Sequence, residues 1–357
     1  MKSKYLFIFI VPIVVLLMIS KTTEEVKPSH KSNPDLATIP PSSDWLGTPV
    51  DEKGRFTNLY HDFESSIKDV LKWKMSANPQ KDEKKNDNRS LPISKTNFDF
   101  SGNEDYLIWL GHASYLIRVD GVTMITDPLL EDNLFLKRKS ELPFPLENFP
   151  KIDLLLLSHN HRDHCDKSGI SWVVAQNPDI EILTGLGMKN VISSWINDQK
   201  TQEAGWFQTY NTSPSIKIHY VPSRHWSKRS LNDDNKSLWG GFFIEGKNQS
   251  IYFMGDSGAG PHFEDIKNAF GSPDYCLMGI GAYKPEWFMH QAHISPTDAI
   301  EAFNTLGGEY FIPMHYGTFD LSDEPLLEPW DVISSSQEKI NGQLIEPVLG
   351  SNLIQAP

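Results

Sequence analysis

Residues 154–166 read LLLLSHNHRDHCD, an apolar run followed by three histidines and an aspartate within the six residues 159–164. A buried strand followed by an ordinary polar loop is one interpretation. The other is a strand that ends at a metal site, because imidazole and carboxylate groups are costly to bury without partners. The second interpretation requires further ligands elsewhere in the chain.

Three other strand-like runs also end near a metal-competent side chain. Residues 215–221 precede His225, residues 250–254 precede Asp256, and residues 310–314 precede His315. Ligand sites in open α/β sheets gather beyond the carboxyl ends of the strands. We therefore expect seven side chains to converge on one rim: His159, His161, Asp163, His164, His225, Asp256 and His315.

Seven ligands suffice for two metal ions. His159 and His161 point to the same face of an extended segment, whereas Asp163 and His164 follow in a turn that can aim at a second ion. Imidazole and carboxylate suit zinc, with manganese or iron as alternatives. Only two cysteines occur, and they form no C-x-x-C pair, which argues against a sulfur-rich structural site. The sequence predicts an open, catalytic centre.

Composition narrows the class of protein. The 357 residues are 39% hydrophobic and 11% aromatic, enough for the core of one large domain or two smaller ones. From residue 106 onward, strand-like runs alternate with helix-like ones, which predicts an α/β fold. The net charge of -13 repels polyanions and disfavours nucleic acid as a partner.

The N-terminus predicts targeting. Two lysines precede the apolar run 5–19, so residues 1–20 are interpreted as a signal peptide or a membrane anchor, with a buried helix as the alternative. The positive-inside rule places the rest of the chain on the extracytoplasmic side; a cytoplasmic, membrane-associated protein is the other interpretation. Residues 21–45 are predicted to be a linker and 46–357 the main domain, with a flexible insertion at 76–97 and a short amphipathic helix at 67–75.

Beyond the seven ligands, several segments resemble the metallo-β-lactamase fold superfamily and, more narrowly, the N-acylphosphatidylethanolamine-hydrolysing phospholipase D family. The matching segments are GRFTN (54–58), WLGHASYLIRVDGVTMITDP (109–128), HNHRDH (159–164), SRHWSKR (223–229), GDSGAG (255–260), IGAYKPEWFM (280–289) and MHYGTF (314–319). The resemblance implies an αβ/βα four-layer sandwich holding two zinc ions. By the same resemblance, His159, His161 and His225 hold the first ion, Asp163, His164 and His315 hold the second, and Asp256 bridges them.

The implied activity is that of a phospholipase D-type phosphodiesterase acting on N-acylphosphatidylethanolamine-like lipids. A hydroxide shared by the two metals would be the nucleophile. Alternatives are hydrolysis of another ester, such as a lactone or a nucleic-acid phosphodiester, or a non-catalytic binding or assembly role. Asp163, counted among the catalytic residues, and Asp256 are both intact, which favours an enzyme.

Three further residues have two interpretations each. Asp127 precedes Pro128 and either orients a metal-bound histidine or starts a turn. His112 either supports a ligand or is a buried structural histidine. His293 lies just before a predicted helix that runs from Ser295 toward Leu306, where it could bind substrate phosphate or protonate the leaving group.

The aromatic segment 283–289 predicts contact with lipid. Tyr283, Trp287 and Phe288 are expected to line an acyl-chain groove or touch a membrane, with core packing as the alternative. A phospholipid or other phosphodiester substrate and a membrane surface are thus the expected partners. The sequence leaves the oligomeric state open.

Overall fold

The computed structural model describes residues 29–63, 67–94 and 98–355. The strands are β1 (Ser29–Lys31), β2 (Ala37–Thr38), β3 (Thr48–Val50), β4 (Tyr106–Gly111), β5 (Ser114–Val119), β6 (Val122–Thr126), β7 (Leu154–Leu157), β8 (Glu181–Gly185), β9 (Thr201–Ala204), β10 (Gln208–Thr209), β11 (Lys217–Val221), β12 (Gly241–Glu245), β13 (Ser250–Phe253), β14 (Tyr275–Gly279), β15 (Tyr310–Met314) and β16 (Gln343–Leu344). The α-helices are α1 (Ile67–Met75), α2 (Lys81–Asn86), α3 (Lys167–Gln176), α4 (Lys189–Ile192), α5 (His262–Phe270), α6 (Glu286–Met289), α7 (Pro296–Leu306) and α8 (Glu328–Ser334).

Two mixed sheets form the centre of the molecule. The eight-stranded sheet has the order β16-β15-β14-β13-β12-β11-β10-β2 and the six-stranded sheet the order β4-β5-β6-β7-β8-β9. Tyr115 of the smaller sheet meets Phe253 of the larger one edge to face, so the sheets pack on each other. Ile108 and Leu110 point the other way, into a second apolar cluster shared with α3. On the far side, Phe303 of α7 stacks on β15. These four layers confirm the predicted α/β sandwich.

The strand directions bring the predicted ligands to one edge. β12 is antiparallel to both β11 and β13, and β13, β14 and β15 are parallel, so β11, β13 and β15 end on the same side. β7 lies in the smaller sheet, parallel to β6 and β8. The site therefore draws ligands from the carboxyl ends of strands in both sheets.

The predicted linker and the predicted flexible insertion are both packed where the structure describes them. Within the predicted linker 21–45, β1 pairs with β3, and β2 extends the edge of the eight-stranded sheet beside β10. Within the predicted insertion 76–97, Leu91 is buried and Asn78 Nδ2 donates to the Asp323 carbonyl oxygen at 2.7 Å. The polar composition did not predict the strand pairing, because a sheet edge binds the backbone groups of any sequence.

The predicted leader at 1–20 lies outside the described residues, so export or anchoring stays a prediction. None of the helices within residues 29–63, 67–94 and 98–355 is both long enough and apolar enough to cross a bilayer. The predicted helix at 67–75 is confirmed as α1, and α7 begins and ends as predicted, with Ser295 capping its first turn and Gly307 in a left-handed conformation after it.

Candidate metal centre

All seven predicted ligands lie together beyond the strand ends. We call three histidines with Asp256 the first ligand group; their ligand atoms are His159 Nε2, His161 Nδ1, His225 Nε2 and Asp256 Oδ2. His161 Nδ1 is 3.0 Å from both of the other ring nitrogens. Asp256 Oδ2 is 3.8 Å from His159 Nε2 and 3.7 Å from His225 Nε2.

The second ligand group consists of Asp163, His164 and His315, again with Asp256. His164 Nε2 and His315 Nε2 are 3.2 Å apart, and Asp163 Oδ2 is 3.5 and 3.6 Å from them. Asp256 reaches this group with both oxygens: Oδ1 is 3.0 Å from His315 Nε2 and Oδ2 is 3.1 Å from His164 Nε2. The Asp256 carboxylate is therefore shared by the two groups.

The spacing of these atoms fits metal coordination. Four ligands tetrahedrally placed about 2.0–2.1 Å from one ion are roughly 3.3 Å from each other. The distances in both groups, 3.0–3.8 Å, bracket that value. Asp256 Oδ2 is buried and has no hydrogen-bond partner, which a buried carboxylate oxygen seldom tolerates. The two groups are able to bind metal ions.

Burial and neighbouring charges set the protonation of the first group. Burial lowers the pKa of His161 to about 4 and the pKa values of His159 and His225 well below the ordinary range. These imidazoles are therefore neutral at pH 7, the form in which histidine binds a metal.

The second group attracts positive charge. Burial raises the pKa of the Asp256 carboxyl, but His164 and His315 outweigh it and hold that pKa well below its ordinary value. In turn, although burial lowers it, the nearby carboxylates raise the pKa of His315 to about 9. A cation that binds here displaces the protons of the two histidines, since metal binding releases protons from its ligands.

Asp127 orients histidines of both groups. Its Oδ2 accepts the Nδ1–H of His164 at 2.8 Å, the contact that a carboxylate behind a metal-binding histidine makes. It also accepts the hydroxyl of Ser158, whose oxygen is 2.9 Å from His159 Nδ1. Because the Ser158 proton is already donated to Asp127, His159 Nδ1 must be the donor to Ser158. In that tautomer His159 Nε2 carries no hydrogen, so its lone pair is available as a ligand in the first group.

His112 is buried and lies beside Asp163, so the structure is compatible with both of its interpretations. Its Nε2 is 3.2 Å from Asp163 Oδ2, and its carbonyl oxygen accepts the backbone N–H of His315. His112, Asp127 and His315 all have positive φ, at 55°, 32° and 62°. Such conformations are costly for residues other than glycine and concentrate at functional sites.

His293 lies at the mouth of the centre. Its Nδ1 is 3.8 Å from Asp256 Oδ2, and its ring centroid is 5.3 Å from that of His225 and 5.5 Å from that of His315. Its side chain is 17% exposed, whereas those of the adjacent His225 and His315 are 0% and 1% exposed. A substrate that approaches the two groups would therefore meet His293.

The three aromatic residues predicted to contact lipid lie in different environments. The expectation that Tyr283 contacts lipid is corrected by its burial. Its side chain is buried and its hydroxyl donates to Glu328, so it packs within the domain. Phe288 stacks on Trp73 of α1 at a centroid distance of 5.3 Å. Trp287 is 42% exposed, with the Lys72 ammonium 4.2 Å from its ring centroid. Of the three, only Trp287 is substantially exposed to solvent.

Sequence reasoning missed an aromatic wall beside the first group. The Trp226 ring meets His161 edge-on at 4.5 Å, and Phe63 stacks on Trp226 at 5.3 Å and 11°. Trp226 directly follows His225 in SRHWSKR, and that adjacency was a usable signal. Phe63 is distant in sequence and carried none.

Arg229, from the same segment, ties the ligand loop together. Its Nη1 donates to the carbonyl oxygens of Asn160 at 3.0 Å and Cys165 at 2.7 Å, the two sides of the loop that carries His161, Asp163 and His164. Its guanidinium also lies over the Trp195 ring. The loop is thus held at both ends by one cation.

Comparisons with known proteins agree with this geometry. The family model described as the beta-lactamase superfamily domain matches residues 123–316. N-acyl-phosphatidylethanolamine-hydrolyzing phospholipase D 1 of Caenorhabditis elegans is 32% identical over 263 residues, which cover 68% of this chain and 73% of that protein. The mitochondrial protein of the same name from Saccharomyces cerevisiae is 34% identical over 235 residues, 63% of this chain but only 50% of its own length.

A solved structure shares the fold. Igni18, a metallo hydrolase from Ignicoccus hospitalis, superposes with a TM-score of 0.53 at 22% identity and covers 68% of this chain and 96% of its own. At that identity the likeness supports the architecture alone.

Proposed function

Because this chain belongs to the N-acylphosphatidylethanolamine-hydrolysing phospholipase D family of the metallo-β-lactamase superfamily and is a metal-dependent hydrolase, we propose that it hydrolyses the head-group phosphodiester of N-acylated phospholipids. The reaction breaks the P–O bond on the head-group side. Water supplies the hydroxyl of phosphatidic acid and the proton of the N-acylethanolamine. The observation that carries the proposal is the pair of ligand groups that share Asp256.

The ligand set favours two zinc ions. His159, His161 and His225 would hold one, Asp163, His164 and His315 the other, and Asp256 would bridge them. Zinc ions in such a pair act as Lewis acids and lower the pKa of bound water toward neutrality. The protein's own contribution is to fix the direction of each ligand, which Asp127 does for His164 and the Ala292 carbonyl does for His225 Nδ1 at 2.9 Å.

Two features at the mouth suit an amphiphilic phosphodiester. His293 is placed where its imidazole could hydrogen-bond a phosphate oxygen or pass a proton to the departing head group. Trp226 and Phe63 present an apolar wall beside His161, where an acyl chain could lie. Phosphate and chain would thus be held on adjacent sides of the centre.

An apolar rim on α1 and α6 fits the surface of a phospholipid bilayer. We define this rim as Leu71 and Met75 of α1, which are 54% and 84% exposed, together with Trp287. Trp73 of α1 stacks on Phe288 of the helix that carries Trp287, so the two helices pack together. Lysines alternate with the apolar side chains of α1, and Lys72 lies over Trp287. In a chain of net charge -13, this basic and apolar face is complementary to an anionic bilayer.

Other substrates of this fold are the alternatives. A lactone or a nucleic acid would use the same metal ligands, because the surrounding groove chooses the substrate. The acidic charge of the chain disfavours nucleic acid. A non-catalytic role is disfavoured by the complete set of ligands.

The activity is tested with purified protein and a panel of an N-acylated phospholipid, a plain phospholipid, a lactone, a soluble phosphodiester and RNA, with chelator and after zinc is restored. We expect head-group release from the N-acylated lipid, its loss with chelator and its recovery with zinc. Turnover of the lactone or RNA alone would contradict the substrate proposal.

The rim is tested separately with anionic vesicles. Leu71→Glu should reduce vesicle binding and raise KM for vesicle substrate, while turnover of a soluble short-chain substrate is unchanged. Leu46→Glu, at a residue that is 74% exposed and outside the rim, is the matched control. Equal losses in the two variants would exclude the rim as the docking surface.

A further inference from the structure

The carboxamide of Asn58 binds the backbone of a predicted metal ligand. Asn58 Nδ2 donates to the His225 carbonyl oxygen at 3.0 Å, and the His225 N–H donates to Asn58 Oδ1 at 3.1 Å. Asn58 ends the GRFTN segment, lies outside the family match at 123–316 and has no role in the chemistry proposed above.

The position of His225 explains why such a partner is needed. His225 is fully buried and follows the end of β11, where the strand ladder no longer supplies partners for its backbone. Buried backbone N–H and C=O groups are nearly always paired. Asn58 offers one donor and one acceptor side by side, so it binds this residue as a neighbouring strand would.

The orientation of the carboxamide is itself fixed. Trp239 Nε1 is 3.2 Å from Asn58 Oδ1 and 3.1 Å from the Ser223 carbonyl oxygen, and it can donate to both. The Oδ1 atom therefore accepts from both Trp239 and His225, which leaves Nδ2 as the donor to the His225 carbonyl. A reversed amide would place two donors against Trp239 and His225.

Two contacts together determine where the His225 ring points. Asn58 holds the backbone, and the Ala292 carbonyl accepts from Nδ1 at 2.9 Å. The remaining nitrogen, Nε2, then faces His161 Nδ1 at 3.0 Å within the first ligand group. If the backbone contact is lost, Nε2 is no longer held at this distance.

We propose that Asn58 is a positioning residue that sets the metal affinity of the first ligand group through His225. The inference rests on the proposed binding of metal by that group but not on the identity of the substrate. It assigns a function to the N-terminal segment, which completes a centre whose ligands all come from later in the chain.

The test is Asn58→Leu, which keeps the number and branching of the side-chain heavy atoms and removes both hydrogen bonds to His225. Zinc alone is the probe, titrated into the metal-free full chain against a chromogenic chelator. We expect wild type to bind two ions and the variant to bind one of them about 10-fold more weakly, the lower end of what supporting residues contribute to metal affinity. The affinity of the other ion should be unchanged, because Asn58 contacts none of Asp163, His164 and His315.

Gln208→Leu is the matched control. Gln208 is likewise an amide that binds backbone, since its Oε1 accepts from the N–H groups of Asn33 and Gly205 at 2.8 Å and its Nε2 donates to the Asn33 carbonyl. It makes these bonds away from the centre. Both variants should lose stability, and only Asn58→Leu should lose zinc affinity.

Cobalt substitution gives a second readout. The absorption of bound Co²⁺ reports ligand geometry, and we expect it to change in Asn58→Leu and not in Gln208→Leu. If Asn58→Leu does not fold, Asn58→Ala carries the same test, with a smaller expected loss because water can enter and bind the His225 backbone.

Equal zinc affinities for wild type, Asn58→Leu and Gln208→Leu would overturn the role of Asn58 and leave the proposed function intact. Equal weakening in both variants would overturn it as well, since the effect would then follow stability alone. A wild-type chain that binds no zinc would overturn both proposals.

Discussion

The two ligand groups are supported differently. In the second group, His164 donates directly to a carboxylate, Asp127. In the first group, His159 donates to the Ser158 hydroxyl and His225 to the Ala292 carbonyl, both neutral acceptors. A carboxylate behind an imidazole raises its basicity as a ligand more than a neutral oxygen does. We therefore expect the second group to hold its ion more tightly.

The groups are nevertheless connected. Ser158 passes the charge of Asp127 to His159 through its hydroxyl, and Asp256 touches both groups. The two groups should therefore differ in metal affinity by a moderate factor, because each is affected by the charge of Asp127 and Asp256. Three substitutions, at Asp256, Asp127 and Ser158, test it from the largest effect to the smallest.

Asp256→Asn should abolish the binding of two metal ions side by side. It removes the negative charge that both groups share and replaces an acceptor with a donor near His164 or His315. We expect turnover of the N-acylated lipid to fall by more than the roughly 10–100-fold typical of residues that only support ligands, and bound zinc to drop below two ions by elemental analysis.

The control for this variant is Asp274→Asn. Asp274 Oδ2 accepts from the Ser250 N–H at 2.6 Å, at the opposite end of β13 from Asp256. Its loss should cost stability without loss of zinc. Full activity in Asp256→Asn would contradict a bridging role.

Asp127→Asn should weaken the metal affinity of the second group more than that of the first. It removes the charge behind His164 directly and the charge behind His159 only through Ser158. We expect the ion of the second group to be weakened by about 10- to 100-fold, and the ion of the first group by less, in the same zinc titration. A larger loss at the first group would reverse the comparison.

Ser158→Ala should affect the first group alone. It removes the acceptor of His159 Nδ1–H and leaves the Asp127–His164 contact in place. One neutral hydrogen bond contributes roughly 0.5–1.5 kcal/mol, so we expect a loss of about 2- to 12-fold in zinc affinity. An equal loss at the second group would show that Ser158 acts by holding Asp127, to which its N–H also donates.

Much of this arrangement is readable from sequence because it follows from strand ends. Buried strands whose carboxyl ends lie on one side place their next residues at the same edge, so His159, His225, Asp256 and His315 could be brought together without coordinates. The helix α7 was equally readable, since Ser295 and Gly307 mark its ends by local backbone chemistry.

The remainder depends on contacts that no local pattern encodes. From sequence, Tyr283 was expected to line a groove, but in the structure its hydroxyl donates to Glu328. Asn58 and Phe63 reach the centre from an N-terminal segment more than 150 residues before His225 in the chain. Their roles are set by long-range packing, and propensity and periodicity do not report it.

The central claim is that each of the two ligand groups holds one metal ion and that the two ions share Asp256. Anomalous diffraction at the zinc edge, from crystals of the zinc-loaded protein, tests it directly. The account predicts two peaks, one within reach of His159, His161 and His225 and one within reach of Asp163, His164 and His315, with the Asp256 carboxylate contacting both. A single peak, or a pair of peaks away from Asp256, would contradict it.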